Sequence, residues 1–246
     1  MNIYAWAAGM DAEETLTYVE RFPQLKYILY PRNYDAVLEL PGKQVAYVTS
    51  VNAAERIISN PDKWEFAILG DEPNIVGHSG SRIVPPEEYV GRYTPVHEVL
   101  NSAGIKTSSA GLGMKPNGSF DSEYAKMLDE LGFADYRAVN YSPVQYRQMS
   151  IGIKVSERKW MTTILPVRAN WTPLKYNTVF AWLWQTIYQP SITRQINTLS
   201  KTTIGIGIWC LREVRMNGGE WQGWHGLVDR NGRETWQGRM INRILS

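Results

Sequence analysis

Short apolar runs alternate with longer amphipathic stretches along the whole chain. That alternation reads as repeated strand–helix units feeding a parallel sheet. It predicts strands over Asn2–Ala8, Lys26–Pro31, Gln44–Thr49, Trp64–Gly70, Ile105–Ala110, Asp135–Tyr141, Lys159–Leu165 and Thr203–Leu211. A helix is expected after Asp11, whose pairing with Glu14 three residues on is a capping-box arrangement. Further helices are expected from Asn52, from Pro85-Pro86 to Ala103, over Phe120–Leu131, Leu174–Leu199 and Glu234–Leu245. Gly104 and Gly132 supply helix stops, and Pro190 is expected to kink or break its helix.

Eight strands with mostly helical crossovers imply an α/β chain folded as a single (β/α)₈ TIM barrel. Its 246 residues suit that fold, which typically takes about 250. No composition shift, low-complexity tract or longer repeat marks a second domain, so one barrel is expected over 1–246. A doubly wound sheet normally carries a glycine-rich phosphate loop after its first strand. Here that turn reads AAGMDAEE and lacks GxGxxG, while GLGMKPNG at 111–118 follows the fifth strand and reads as a flexible barrel loop.

Composition changes the picture in one respect. Ten Trp and fourteen Tyr stand against five Phe. Trp and Tyr combine an apolar face with a polar edge, which suits a sugar ring as well as a core. The partner expected is therefore an oligo- or polysaccharide. Net charge is +2, with scattered basic residues, which argues against nucleic acid or an acidic membrane surface. No run approaches the roughly 18 apolar residues of a membrane span. The first residues lack a signal-peptide pattern, so a soluble protein, cytoplasmic or released by lysis, is expected. The single cysteine, Cys210, sits in the apolar run IGIGIWCL and reads as a buried small hydrophobe. His78, His97 and His225 are far apart, so neither a metal site nor a cofactor is expected. Trp182 and Trp184 share helical spacing and read as packing on the barrel exterior. The oligomeric state stays open.

In such a barrel the chemistry sits at the C-terminal ends of the strands. Those ends carry Arg32, Asp71-Glu72-Pro73-Asn74, Asn140-Tyr141, Arg168, Asn170-Trp171, Trp209 and Arg212-Glu213. The adjacent carboxylates after the fourth strand are the strongest local signal, because like charges this close favour keeping one carboxyl protonated as a general acid. Alternation puts Glu72 on the side of Phe66, Ile68 and Gly70, and Asp71 must reach the same place through turn geometry. D-E-P-N is also good turn sequence. Arg32, Asn140, Trp171 and Trp221 are candidate substrate contacts, with Arg32 alternatively pairing Asp71 or Glu72.

ILGDEPN resembles the fourth-strand motif of clan A glycoside hydrolases, in which an Asn-Glu-Pro triplet carries the acid/base Glu. IGIWCL followed by GLVDRNGRETWQG resembles that clan's ending. The resemblance implies Glu72 as general acid/base and Trp209 as a stacking platform for the sugar. Two departures stand out: the seventh strand, KWMTTILPVRANW, carries no carboxylate where the clan has its nucleophile, and Asp71 replaces the usual Asn. An Asp-Glu pair resembles β-N-acetylhexosaminidases, where the substrate's 2-acetamido oxygen is the nucleophile. By that resemblance Asp71 orients the acetamido N–H and Tyr141 donates to its oxygen. The alternatives are a two-carboxylate enzyme using Glu72 and Glu213, and a non-catalytic glycan-binding barrel. Asp229 reads as a turn former. A phosphate-handling barrel is disfavoured, since PVRANWTP offers no glycine.

Overall fold

The computed structural model describes residues 2–76, 82–141, 145–164, 178–212, 214–215, 221–222, 226–229 and 231–246; among these, the side chains of 178–188, 209, 214–215, 221–222 and 236 are not described. Eight parallel strands follow one another around the barrel: β1 (Ile3–Trp6), β2 (Lys26–Leu29), β3 (Gln44–Val48), β4 (Trp64–Asp71), β5 (Thr107–Gly113), β6 (Tyr136–Tyr141), β7 (Trp160–Ile164) and β8 (Thr203–Arg212). Pairing of β1 with β8 closes the sheet. The expected barrel is therefore the observed one.

Two apolar shells hold it. Tyr4, Ile28, Val45, Phe66, Ile68, Ala138 and Met161 fill the barrel interior. A larger shell, including Leu29, Leu69, Leu112, Val139 and Ile164, lies between barrel and helices. Strands buried on both faces account for runs that are apolar throughout rather than alternating with polar residues.

The helices are α1 (Ala12–Val19), α2 (Val51–Ile57), α3 (Pro86–Ser102), α4 (Ser122–Glu130), α5 (Tyr146–Gly152) and α6 (Thr178–Leu199), which lie between barrel strands, and α7 (Trp236–Leu245), which follows the last strand. Asp11 caps α1 as expected, accepting from the Glu14 backbone N–H at 2.9 Å. Only a 3₁₀ turn, Tyr34–Leu38, spans β2 to β3.

Several elements differ from expectation, among them α5, a helix not expected between β6 and β7. Strand β5 starts later and ends later than its apolar run. Ile105 belongs to the end of α3: its N–H reaches Leu100 O while Gly104 N–H reaches Asn101 O, a Schellman closure in which the residue after the glycine packs back on the helix. The stretch Gly111–Gly113, expected in a loop, is strand. Helix α6 runs through Pro190 without a break. Beyond β8, the chain forms a small hairpin, β9 (Val214–Arg215) with β10 (Trp221–Gln222), and then β11 (Gly226–Val228), which pairs with the end of β8 past the last residue paired to β7.

Candidate active site

The mouth at the C-terminal ends of the strands gathers Asp71 and Glu72 from β4 with Asn140 from β6. Gly70 makes this possible. Its φ of +78° is left-handed, and a Cβ there would lie 2.5 Å from the Tyr93 hydroxyl on α3. Gly70 thus faces the helix layer, the inward–outward alternation shifts by one, and Asp71 turns toward the mouth. Glu72 follows with φ +36°, a backbone region that costs a non-glycine residue about 1–3 kcal/mol and concentrates at functional sites. Left-handed residues on either side of Asp71, Gly70 and Glu72, are how the adjacent carboxylates reach one place.

Asn140 joins them. Its Nδ2 donates to Asp71 Oδ1 at 3.1 Å and to Glu72 Oε1 at 3.0 Å. Glu72 is only 4% exposed and Asn140 5%. The opposite atom, Asn140 Oδ1, is buried and has no partner among the described residues. Both side chains fit because β5 presents glycine beneath them. A Cβ on Gly111 would sit 2.5 Å from Asn140 Oδ1, and one on Gly113 would sit 3.1 Å from Glu72 Cδ and 2.7 Å from Ile75 Cδ1. Asn74 pins the turn: its amide donates to Gly113 O at 2.8 Å and accepts from Gly113 N at 2.9 Å, like an added strand residue.

Around Asp71 stand Tyr30, Tyr47, Tyr93 and Cys210. Burial chiefly, then the Asp71 carboxylate, pushes the Cys210 thiol up to about 12 and raises the Tyr47 phenol. Burial also lifts Tyr30 well above its usual range, helped by Cys210, Tyr47 and Asp71. These groups stay protonated at neutral pH and present hydroxyl and thiol hydrogens rather than charge. Cys210 is partly exposed and borders the mouth. Strand alternation does not reveal this, because the β1–β8 register slips between Ala5 and Trp6 and re-aims the end of β8.

The remaining expected residues divide. Tyr141 is turned away: it is fully buried in the outer shell, and its hydroxyl donates to Gln195 on α6 at 3.2 Å. Alternation explains this, since Asn140 takes the inward position. Its expected contact with an acetamido oxygen is therefore not made available. Arg32 is exposed in the turn after β2, and no ion pair joins it to Asp71 or Glu72. Trp171, Glu213, Arg168, Asn170, His78 and His225 lie outside the described residues, as do the side chains of Trp209, Trp221, Trp182 and Trp184. Asp229 is the turn former expected, accepting from the N–H groups of Asn231 and Arg233 at 2.8 and 2.9 Å. The other carboxylate near Glu72's turn, Asp121, contacts Asn74 at 3.5 Å, pairs with Lys115 at 3.0 Å and caps α4.

No family model matches the sequence, and no curated protein matches it. Solved structures do match in fold. A GH128 endo-β-1,3-glucanase of Amycolatopsis mediterranei, in complex with laminaritriose, superposes with a TM-score of 0.63 at 10% identity, covering 99% of both chains. A GH128 endo-β-1,3-glucanase of Sorangium cellulosum gives 0.61 at 14% identity, over 99% of this chain and 97% of that one. A GH128 oligosaccharide-binding protein of Trichoderma gamsii gives 0.59 at 10% identity, over 99% and 93%. At such identities the likeness establishes the shared barrel.

Proposed function

We propose that this barrel is a glycoside hydrolase with Glu72 as its general acid/base. The observation that carries the proposal is the convergence of Glu72 and Asp71 on one amide nitrogen, in a strained turn at the barrel end where such folds do their chemistry. A carboxyl held against a second carboxylate, and largely removed from water, is suited to deliver a proton to a glycosidic oxygen. The whole-length likeness to β-glucan-cleaving barrels supports the same class.

For the partner of Glu72 we favour substrate assistance on N-acetylhexosamine-containing glycans. Asp71 shares the mouth, and β7 ends without a carboxylate in the described strand, Trp160–Ile164. In this step the acetamido oxygen attacks the anomeric carbon as the leaving oxygen takes the Glu72 proton, and Asp71 holds the acetamido N–H. Water then opens the oxazolinium-type intermediate and returns a proton to Glu72. The group that would steady the acetamido oxygen is not Tyr141. The second reading, a binding barrel without turnover, draws on the oligosaccharide-binding relative of the same shape.

The test is a panel of N-acetylated and plain β-linked oligosaccharides offered to the wild type, Glu72→Gln and Asp71→Asn. Glu72→Gln is expected to lower kcat by about 10²–10⁴. Asp71→Asn is expected to do so only on acetamido substrates. Equal losses on plain glucans transfer the proposal to the two-carboxylate mechanism, with Glu213 the first residue to replace. Binding with no turnover by the wild type removes the hydrolase proposal.

A further inference from the structure

Three aromatic residues end the inner rows of β1, β2 and β3. Tyr4 leads to Trp6, Ile28 to Tyr30 and Val45 to Tyr47. The first member of each pair is fully buried and the second only half-buried. The interior packing therefore stops in an aromatic layer at the mouth. Tyr30 and Tyr47 lie 4.7 Å apart at ring centroids with a 37° tilt, and Trp6 stands 6.2 and 6.1 Å from them. The indole Nε1 of Trp6 is turned into the barrel toward Gly207, which leaves the phenol hydroxyls as the polar groups of the cluster. Neither the Tyr30 nor the Tyr47 hydroxyl has a partner among the described residues. A purely structural pair of tyrosines would normally satisfy its O–H groups.

We infer that Trp6, Tyr30 and Tyr47 form a subsite for a neutral sugar ring on the β1–β3 side of Glu72. A pyranose has an apolar C–H face and a rim of hydroxyls. The rings offer the flat apolar surface, while the two phenol hydroxyls offer donors to the rim. Asp71 supplies an acceptor beside them, and its charge disfavours a uronic or sialic acid there. Both phenols remain protonated, because burial and that same carboxylate raise them. The inference rests on the carbohydrate reading of this mouth and is independent of turnover.

Calorimetric titration decides it, using Glu72→Gln protein to prevent cleavage. The probes are trisaccharides of glucose, N-acetylglucosamine and xylose, with a trisaccharide of glucuronic acid as the charged comparison. Trp6→Ala and Tyr47→Ala, checked for folding by thermal melting, are expected to weaken the best neutral ligand about tenfold or more. If either does not fold, the Tyr30→Phe/Tyr47→Phe double variant carries the test, with a several-fold loss expected from two missing donors. Unchanged affinity in the folded variants overturns the subsite and leaves the hydrolase proposal standing. Preference for the charged trisaccharide overturns it as well. Failure to bind any glycan overturns both proposals. Binding that depends on the three rings, with no hydrolysis by the Glu72 protein, keeps the subsite and removes the hydrolase.

Discussion

Asn140 is the residue on which the candidate site turns. Its amide nitrogen touches both carboxylates, and hydrogen bonds to charged groups are worth about 1.5–3 kcal/mol. Asn140→Ala is expected to lower kcat about a hundredfold with little change in KM, because small displacements of a reacting group cost that much. The same variant is expected to move the acid limb of the pH–rate profile, which loss of a merely structural contact would leave in place. Gly113→Ala offers a second approach: the new methyl meets Glu72 Cδ at 3.1 Å, so activity is expected to fall further than the melting temperature explains. At this scale the sequence disclosed part of the site. Asp71 and Glu72 were legible because two carboxylates after an apolar run are unusual. Asn140 was legible as a strand end, though not as the bridge. Tyr141 was misplaced because only one of two neighbours can face inward. The triad was present as a pattern, since Trp6, Tyr30 and Tyr47 each follow an inward residue by two positions. Cys210 was hidden by a register slip that no alternation reveals.

Elements show the same division. Most strands and helices follow the apolar runs and the caps, because strand burial and helix-end chemistry are local. Strand β5 does not: glycines 111 and 113 look like a loop, but they extend the strand because β4 and β6 need the space for Glu72 and Asn140. Two carboxylates tie element ends together. Burial works to raise Asp229, but the N–H groups of Arg233 and Asn231 with the Arg233 side chain override it and hold it below its ordinary value. Asp135 behaves alike: burial raises it, while the Thr107 N–H and Lys106 prevail and lower it, joining the start of β6 to that of β5. A carboxyl depressed in the folded state stabilises above its unfolded value and loses that contribution as pH falls through the folded one. Melting temperatures of Asp135→Asn and Asp229→Asn are therefore expected below wild type at pH 6. The gap should close as pH falls below about 4; a gap constant to pH 3 contradicts these roles.

For the whole molecule, eight consecutive strands close on themselves around one interior and one outer shell. We expect a single cooperative unfolding transition, with calorimetric and van't Hoff enthalpies equal; two separable transitions would divide the chain into more than one domain. The barrel was legible because its period repeats over the full length, and one misread boundary does not alter the count. The candidate site lies where that period is broken: at Gly70, at Glu72 and at the slip between β1 and β8. The proposed function depends on proton donation by Glu72. It is tested most directly by comparing Glu72→Gln with wild type on one glycan that the wild type cleaves, and on the aryl glycoside of the same sugar with a good leaving group. Proton donation by Glu72 entails a loss of about 10²–10⁴ on the natural linkage and a much smaller loss in the bond-cleaving step on the aryl glycoside, whose leaving group needs no proton. Equal activity of the two proteins on the natural linkage would contradict it.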